Sequence, residues 1–427
     1  MTELAFFGGP KAVTAARPRW PIIGEEEVAS AVKVMLTGDL STVGRNGIVG
    51  QFEDEFAAKF GTRYALSFSS GTSSIHGACF ACGVGPGWEV LTPSYTWMSA
   101  ITAILHANGT PVFCDVVPNS FHIDPEEIRR KATPRTKAVI VCHVWGVPAP
   151  MDEIMAVARE KGLMVIEDCS HAHGGRYRGK LLGTIGDVGC FSLQGSKSMV
   201  AGEGGILITN SRQLYERAMI PGHHDVRLEE ELTLPETQPF AETGGYWKYR
   251  SVPVSMAIAH AQLPHLDEWN AARLENYNRL EGQLKDLPAL DFLQFPELAP
   301  GSVRGFYGSP CLYDYDQSVV ARNTFVEALA AEGAGVGTGY KNWYQAPLLQ
   351  DMNLFRQLWV DQYPNGTRYQ PLPLGALPNT ESVLARNLIL PAWAVPAPDL
   401  VDQYAVAFRK VADNMDRLAQ YQREKQR

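Results

Sequence analysis

Residues 163–175 read LMVIEDCSHAHGG and residues 188–205 read VGCFSLQGSKSMVAGEGG. The first opens as an apolar, β-branched run and stops on a carboxylate, Asp168, with His171 and His173 just behind it. The second opens the same way and reaches Lys197, which has Ser192, Gln194 and Ser196 before it and no further charge until Glu203. A short continuous apolar run bounded by polar punctuation reads as a strand buried on both faces. A lysine there does not resemble one that only solubilises a surface, which stands among other charges.

Similar runs recur on either side: YALSF (64–68), WEVLTP (88–93), PVFCDV (111–116), KAVIVCHVWG (137–146) and GGILITN (204–210). Helical text separates them. DPEEIRRKA (124–132) carries an Asp cap, Pro at the first helical position and early acids, and MDEIMAVAREKG (151–162) ends on Gly. Alternation of this kind predicts an α/β fold with a mostly parallel central sheet. From 222 to 244 the text is polar and irregular and predicts a long loop or an excursion over the surface, followed by one long helix over about 254–286. Beyond 288 the pattern changes to strand and loop with helices at 323–333 and 399–421. This predicts a large domain, 1–287, and a smaller α+β domain, 288–427.

The 427 residues carry 45% hydrophobic side chains, 20% charged ones and a net charge of -8, which gives no basic footprint for nucleic acid or for an anionic membrane. No secretory leader or spanning segment is visible, so a cytoplasmic protein is expected. The seven cysteines are odd in number and lie mostly in apolar text; Cys79 and Cys82 have no second pair at zinc spacing. They read as small buried hydrophobes. His171, His173, His223 and His224 do not converge at ligand spacing, and no metal is expected.

Open α/β sheets bind ligands beyond the carboxyl ends of their strands. After YALSF, the turn SSGTSS puts the amides of Gly71 and Thr72 at a helix start, which suits a phosphate or serves as a simple cap. After LTP, Tyr95 and Trp97 stand near the same edge, as core or as an aromatic platform. Asp168 needs a cationic partner, because an unpaired buried carboxylate costs on the order of several kcal/mol. A phosphate cradle, an aromatic platform, a buried carboxylate and an isolated lysine are together what pyridoxal 5'-phosphate (PLP) requires.

The sequence resembles the DegT/DnrJ/EryC1/StrS family of PLP-dependent sugar and cyclitol aminotransferases, a fold-type I group, over nearly its whole length. The resemblance rests on GRNGIVGQFEDEFAAKFG (44–61), SSGTSSIHGA, PSYTWMSA, IDPEEI, VIEDCSHAHGGRYRGKLLGTIGDVGCFSLQGSK, AGEGGILIT and RNLILPAW. It implies that Lys197 bonds the coenzyme, that Asp168 faces the pyridine nitrogen, that His171 lies beside the ring's phenolic oxygen, and that Trp97 stacks on the ring. Gly71, Thr72 and Ser192 would hold the phosphate. In the family an Asn of a GYNYRM-like motif reaches that phosphate from the second subunit of a homodimer; GGYWKYRS here puts Lys248 at that position and Arg250 at the family's arginine. For substrate the resemblance offers Tyr340, Lys341, Asn342, Trp343 and Tyr344 in GTGYKNWYQAP, and Arg45 with Asn46 in VGRNG, each otherwise a surface loop. Gln194 and the DCSHAHGGRYRGK segment are similar to the branch that acts on cyclitols, often with L-glutamine as donor; Gln194 could equally hold its own loop.

The implied activity is transfer of an amino group from L-glutamate or L-glutamine to a keto sugar or keto cyclitol in amino-sugar or aminocyclitol antibiotic biosynthesis, with the coenzyme alternating between PLP and pyridoxamine phosphate. The alternatives are a dehydratase and aromatase like aminohydroxybenzoate synthase, which retains the lysine, and a non-catalytic PLP-binding regulatory protein. Sugar dehydratases of the family replace the lysine by histidine, and Lys197 speaks against them.

Overall fold

The computed structural model describes residues 3–244 and 247–425. All seven apolar runs are strands of one sheet: β1 (Tyr64–Phe68), β2 (Glu89–Pro93), β3 (Thr110–Cys114), β4 (Thr136–Cys142), β5 (Met164–Asp168), Val188–Ser192 and Gly205–Thr209. Their spatial order is β1, Gly205–Thr209, Val188–Ser192, β5, β4, β2, β3. Pairing is parallel from β3 through to Val188–Ser192, and only Gly205–Thr209 runs antiparallel, to both its neighbours. The sheet is α/β and mostly parallel. Val139, Ile140, Val141, Val165 and Ile166 are all fully buried, as a sheet covered on both faces demands.

One register detail shapes the site. Phe68, the end of β1, and Ser192, the end of its strand, both pair with Gly205. Both strands therefore deliver their exits to one edge. A Cβ on Gly205 would lie 2.3 Å from the Ser70 carbonyl oxygen, so this close approach requires glycine.

Three expectations need correction. The helix foreseen at 254–286 is two, Pro253–Gln262 and Leu266–Lys285, joined by a 3-10 turn over Leu263–His265. Pro264 is the cause, since it has no N–H to continue the ladder. The last helix is also divided, into Pro398–Ala412 and Met415–Lys425. The polar stretch 222–244 is not one loop: it contains the helix Asp225–Glu231 and a 3-10 segment, Gln238–Thr243. Arg227 of that helix is buried against Glu53, with Nη2 2.8 Å from Oε2.

Beyond residue 287 a three-stranded antiparallel sheet, Leu293–Gln294, Ser309–Tyr313 and Asn387–Leu390, packs its own core around Phe325, Tyr404 and Phe408. Leu280 and Leu284 join this core, as do Leu4 and Val13 from the start of the chain. The N-terminal segment is tied there by polar bonds too: Ala5 N–H and Ala12 N–H donate to Glu332, and Lys410 Nζ donates to Glu332 Oε2 (2.9 Å) and the Pro10 carbonyl (2.6 Å). Short helices over Pro347–Gln350, Met352–Arg356 and Pro378–Arg386, not foreseen from the sequence, pack Leu349, Phe355 and Leu377 against Ile101 and Phe113 of the large sheet's layer. Among the described residues no helix is long and apolar enough to cross a membrane.

Candidate active site

The strand exits and the start of the small sheet enclose a cavity of about 900 Å³. Nine of the residues expected at a site line it: Gly71, Thr72, Trp97, Asp168, His171, Ser192, Gln194, Lys197 and Tyr340. They converge because β1, β2, β5 and Val188–Ser192 all end at the same edge, as the parallel pairing imposes.

The helix Gly71–Ala81 begins at the cavity wall. Ser70 caps it, its hydroxyl accepting from Ser73 N–H (3.1 Å), which leaves the earlier amides free to point outward. A Cβ on Gly71 would lie 2.7 Å from Ser192 Cβ. The missing methyl is what brings backbone amides and the Ser192 hydroxyl together. Thr72 Oγ1 lies 2.8 Å from Ser99 Oγ. This is an anion cradle built from a helix N-terminus and three hydroxyls.

Asp168 is buried at the end of β5. Its Oδ1 accepts from Ser170 N–H (3.1 Å), and the Cys142 thiol points at Oδ2 (3.8 Å) while accepting from Thr96 Oγ1 (3.0 Å). Opposite it, Lys197 is partly exposed, but to the cavity. Burial pulls its amine down from the usual lysine range to about 8, against an opposing pull from the charge of Asp168. The loop holds the lysine by its backbone: Lys197 N–H donates to Gln194 O (2.8 Å), and Trp20 Nε1 donates to Lys197 O (3.0 Å).

His171 is held neutral. Burial, then the charges of Lys197 and His173, push its pKa well below the ordinary value. Its Nδ1 accepts from Trp145 N–H (3.2 Å), which puts the ring proton on Nε2, where the Tyr340 hydroxyl lies 3.0 Å away. Trp145 presents that amide from a left-handed backbone, φ 57°, a strained setting for a buried tryptophan. Gln194 does hold its loop, accepting from Ser196 N–H (2.9 Å) and Ser196 Oγ (2.6 Å), and also faces the cavity.

Trp97 stands at the rim, 53% exposed, against Tyr340 and Trp343. Tyr95 is core: fully buried, it accepts from Trp145 Nε1 (3.1 Å). Other expected residues stand away from the cavity of a single chain. Arg45 pairs with Glu53 (3.2 Å) and Asp54, and Asn46 precedes the helix Gly47–Phe60 without a side-chain cap bond. Lys341 is exposed, and Tyr344 is buried with its hydroxyl on Glu381. Lys248 is exposed, with φ 51°, next to Tyr249, whose carbonyl accepts from Ser69 N–H (2.7 Å) beside the cradle.

Sequence reasoning missed Trp145, Cys142, Glu203 and Tyr307, all of which line the cavity. No motif announces Tyr307, which arrives from the small-sheet side. The buried trio His143, Glu167 and Cys169 is grouped closely enough for a cation. Yet Glu167 accepts from the Gly183, Ile185 and Gly186 amides and from His143 Nε2, which uses its four lone-pair directions.

A family profile described as the DegT/DnrJ/EryC1/StrS aminotransferase family matches residues 21–408. The chain belongs to that family. This aminotransferase is 32% identical over 428 residues, 97% of its length and 98% of the relative's, to the L-glutamine:scyllo-inosose aminotransferase of Streptomyces griseus. Among solved structures it is similar to an aminotransferase from Psychrobacter cryohalolentis, with TM-score 0.82 and 26% identity over 94% of this chain and 100% of that one. It is also similar to a 3-amino-5-hydroxybenzoic acid synthase, with TM-score 0.75 and 25% identity over 94% of this chain and 99% of that one.

Proposed function

We propose that this aminotransferase holds PLP in the 900 Å³ cavity and transfers the amino group of L-glutamine to a keto cyclitol. The observation that carries the coenzyme is the donor set: one amine of lowered pKa and one buried carboxylate face the same space as an anion cradle whose closeness depends on Gly71. The cradle amides and the Ser192 hydroxyl suit the phosphate, Asp168 suits a protonated pyridine nitrogen, and Lys197 Nζ suits an aldehyde. His171, with its proton on Nε2, suits the phenolic oxygen, and Trp97 suits the ring face. When bound, PLP supplies a carbonyl that condenses with amines and a ring that draws electrons from the adjacent carbon.

The chain's residues do the rest. Burial pulls Lys197 Nζ down to about 8, so it is partly neutral near pH 7 and would accept and return the donor's α-proton. Asp168, fixed by Ser170 N–H and the Cys142 thiol, would keep the ring nitrogen of a bound coenzyme protonated. Trp97 and Tyr340 wall the opening and exclude water; Gln194 faces the hydroxylated acceptor, Trp343 stands behind Trp97 at the rim, and Lys341, Arg45 and Asn46 are contributed across an interface. The L-glutamine donor and the cyclitol acceptor rest on the similarity to the Streptomyces griseus enzyme; L-glutamate and keto sugars are the next candidates.

The working unit under this reading is a homodimer. The charged side chains lining the cavity among the described residues are Asp168, Lys197 and Glu203. A phosphate and a donor carboxylate need another cation, and Lys248 of the partner subunit, exposed on a left-handed turn, is the one we assign. Residues 1–287 then carry the coenzyme and 288–427 close the substrate side.

The test is spectroscopic. Protein loaded with PLP is mixed with L-glutamine or L-glutamate; the coenzyme band should bleach, and a keto cyclitol should restore it. Borohydride trapping should leave the label on Lys197. A band that no amino donor bleaches would overturn the proposal. The similarity to the hydroxybenzoic acid synthase makes an aromatic product the second outcome to assay.

A further inference from the structure

We infer that Tyr307 is a positioning residue for Lys197: its ring face receives the lysine ammonium whenever the amine is not bonded to coenzyme, and keeps it inside the cavity. Nζ lies 4.1 Å from the ring centroid, within the roughly 6 Å over which an aromatic face attracts a cation. The ring is itself fixed. Its hydroxyl lies 3.1 Å from Ser196 Oγ, on the residue just before the lysine. Its plane stacks on His171 at 4.2 Å and 17°, and lies nearly parallel to Trp145 at 5.7 Å and 11°.

The kind of partner matters. A carboxylate in hydrogen-bond contact would hold the amine's proton tightly and make it a poor base. A π face attracts the cation more weakly and takes no proton, so the amine is oriented without losing its basicity. Asp168 acts on Lys197 through charge alone; His171, Glu203 and Tyr340 line the same cavity, and His173 feels the Lys197 charge from the buried side. A four-carbon side chain that must leave the coenzyme and return has many rotamers to lose, and a fixed ring near its tip removes most of them.

The inference rests on Lys197 being the coenzyme-bonding amine, but its test runs on coenzyme-free protein. Competitive acetylation across a pH series, mapped by peptide mass spectrometry, gives the apparent pKa of Lys197 with the other lysines as internal controls. Tyr307→Phe, which keeps the ring face, should leave that value unchanged. Tyr307→Leu should lower it by about 0.4 to 1.5 units, and the other lysines should not move. Pentafluorophenylalanine at position 307 keeps the shape and reverses the face's polarity; it should lower the value as the leucine does, even if the leucine variant folds poorly. Unchanged values in both, or a shift in Tyr307→Phe as large as in Tyr307→Leu, would overturn the assignment. Protection of Lys197 by added PLP is scored separately: its absence would overturn the coenzyme reading and leave the ring-face result standing.

Discussion

Two buried charge clusters lie at opposite degrees of completion. Around Glu53 every polar atom has company: Oε1 accepts from Ser67 N–H (2.8 Å), Ser67 Oγ (2.7 Å) and Arg227 Nη1 (3.0 Å), while Oε2 meets Arg227 Nη2 (2.8 Å) and Arg45 Nε (3.2 Å). Arg227 also donates to Tyr215 and Glu231. Around Asp168 and Lys197 the partners are few: one amide, one thiol and one aromatic face. A saturated cluster holds the fold and has no capacity left for a ligand. The under-partnered one is where a ligand must complete the bonding.

Substitutions can break this contrast. Lys197→Ala should cost the amination rate about ten-thousandfold, since it removes both the covalent anchor and the proton carrier, yet leave the denaturation midpoint near that of the parent. Glu53→Ala should do the reverse: about 3–5 kcal/mol less stability in denaturant titrations, because the buried Arg227 loses both bonds to Glu53 and keeps only Glu231 as a charged partner, with a smaller effect on turnover of the fraction that remains folded. Gly71→Ala falls between. Its methyl would press on Ser192 Cβ, at a cost of about 1–3 kcal/mol, and calorimetry should show PLP binding weakened about tenfold or more.

Two smaller effects sharpen the comparison. Burial pulls the lysine amine down to about 8 and it bonds an aldehyde only when neutral, so the rate of PLP uptake should rise roughly tenfold per pH unit toward pH 8 and level off above it. A rate that keeps rising tenfold per unit from pH 8 to pH 10 would contradict the lowered pKa. Thr96→Val removes the hydroxyl behind Cys142 and should slow amination by about twofold to tenfold, seen in kcat and not in the donor's KM.

The sheet was legible because each strand is an apolar run that ends in polar text, and because parallel pairing sends those ends to one edge. Asp168, Lys197 and the Gly71 turn could therefore be assembled before any coordinates. The helix Asp225–Glu231 was not legible, since its inward face is carried by Arg227, whose burial depends on a glutamate 174 positions earlier. Tyr307 and Trp145 were hidden for a related reason: each owes its place to tertiary convergence and carries no local signature. The divided helix at Pro264 could have been read; the apolar spacing on both sides outweighed the missing N–H.

The bonds of residues 5–12 to Glu332 and Lys410 bear on biosynthesis. A ribosome adds about 5–20 residues each second, so residues 5–12 wait on the order of 20–80 seconds after their own synthesis for Lys410, roughly 400 positions further on. Until then residues 5–12 lack these partners, although Trp20 further along the segment already has Trp269, Arg273 and the carbonyl of Lys197 to pack on. The small sheet's core thus receives its N-terminal strap from a stretch that has waited for its partners through most of the intervening translation.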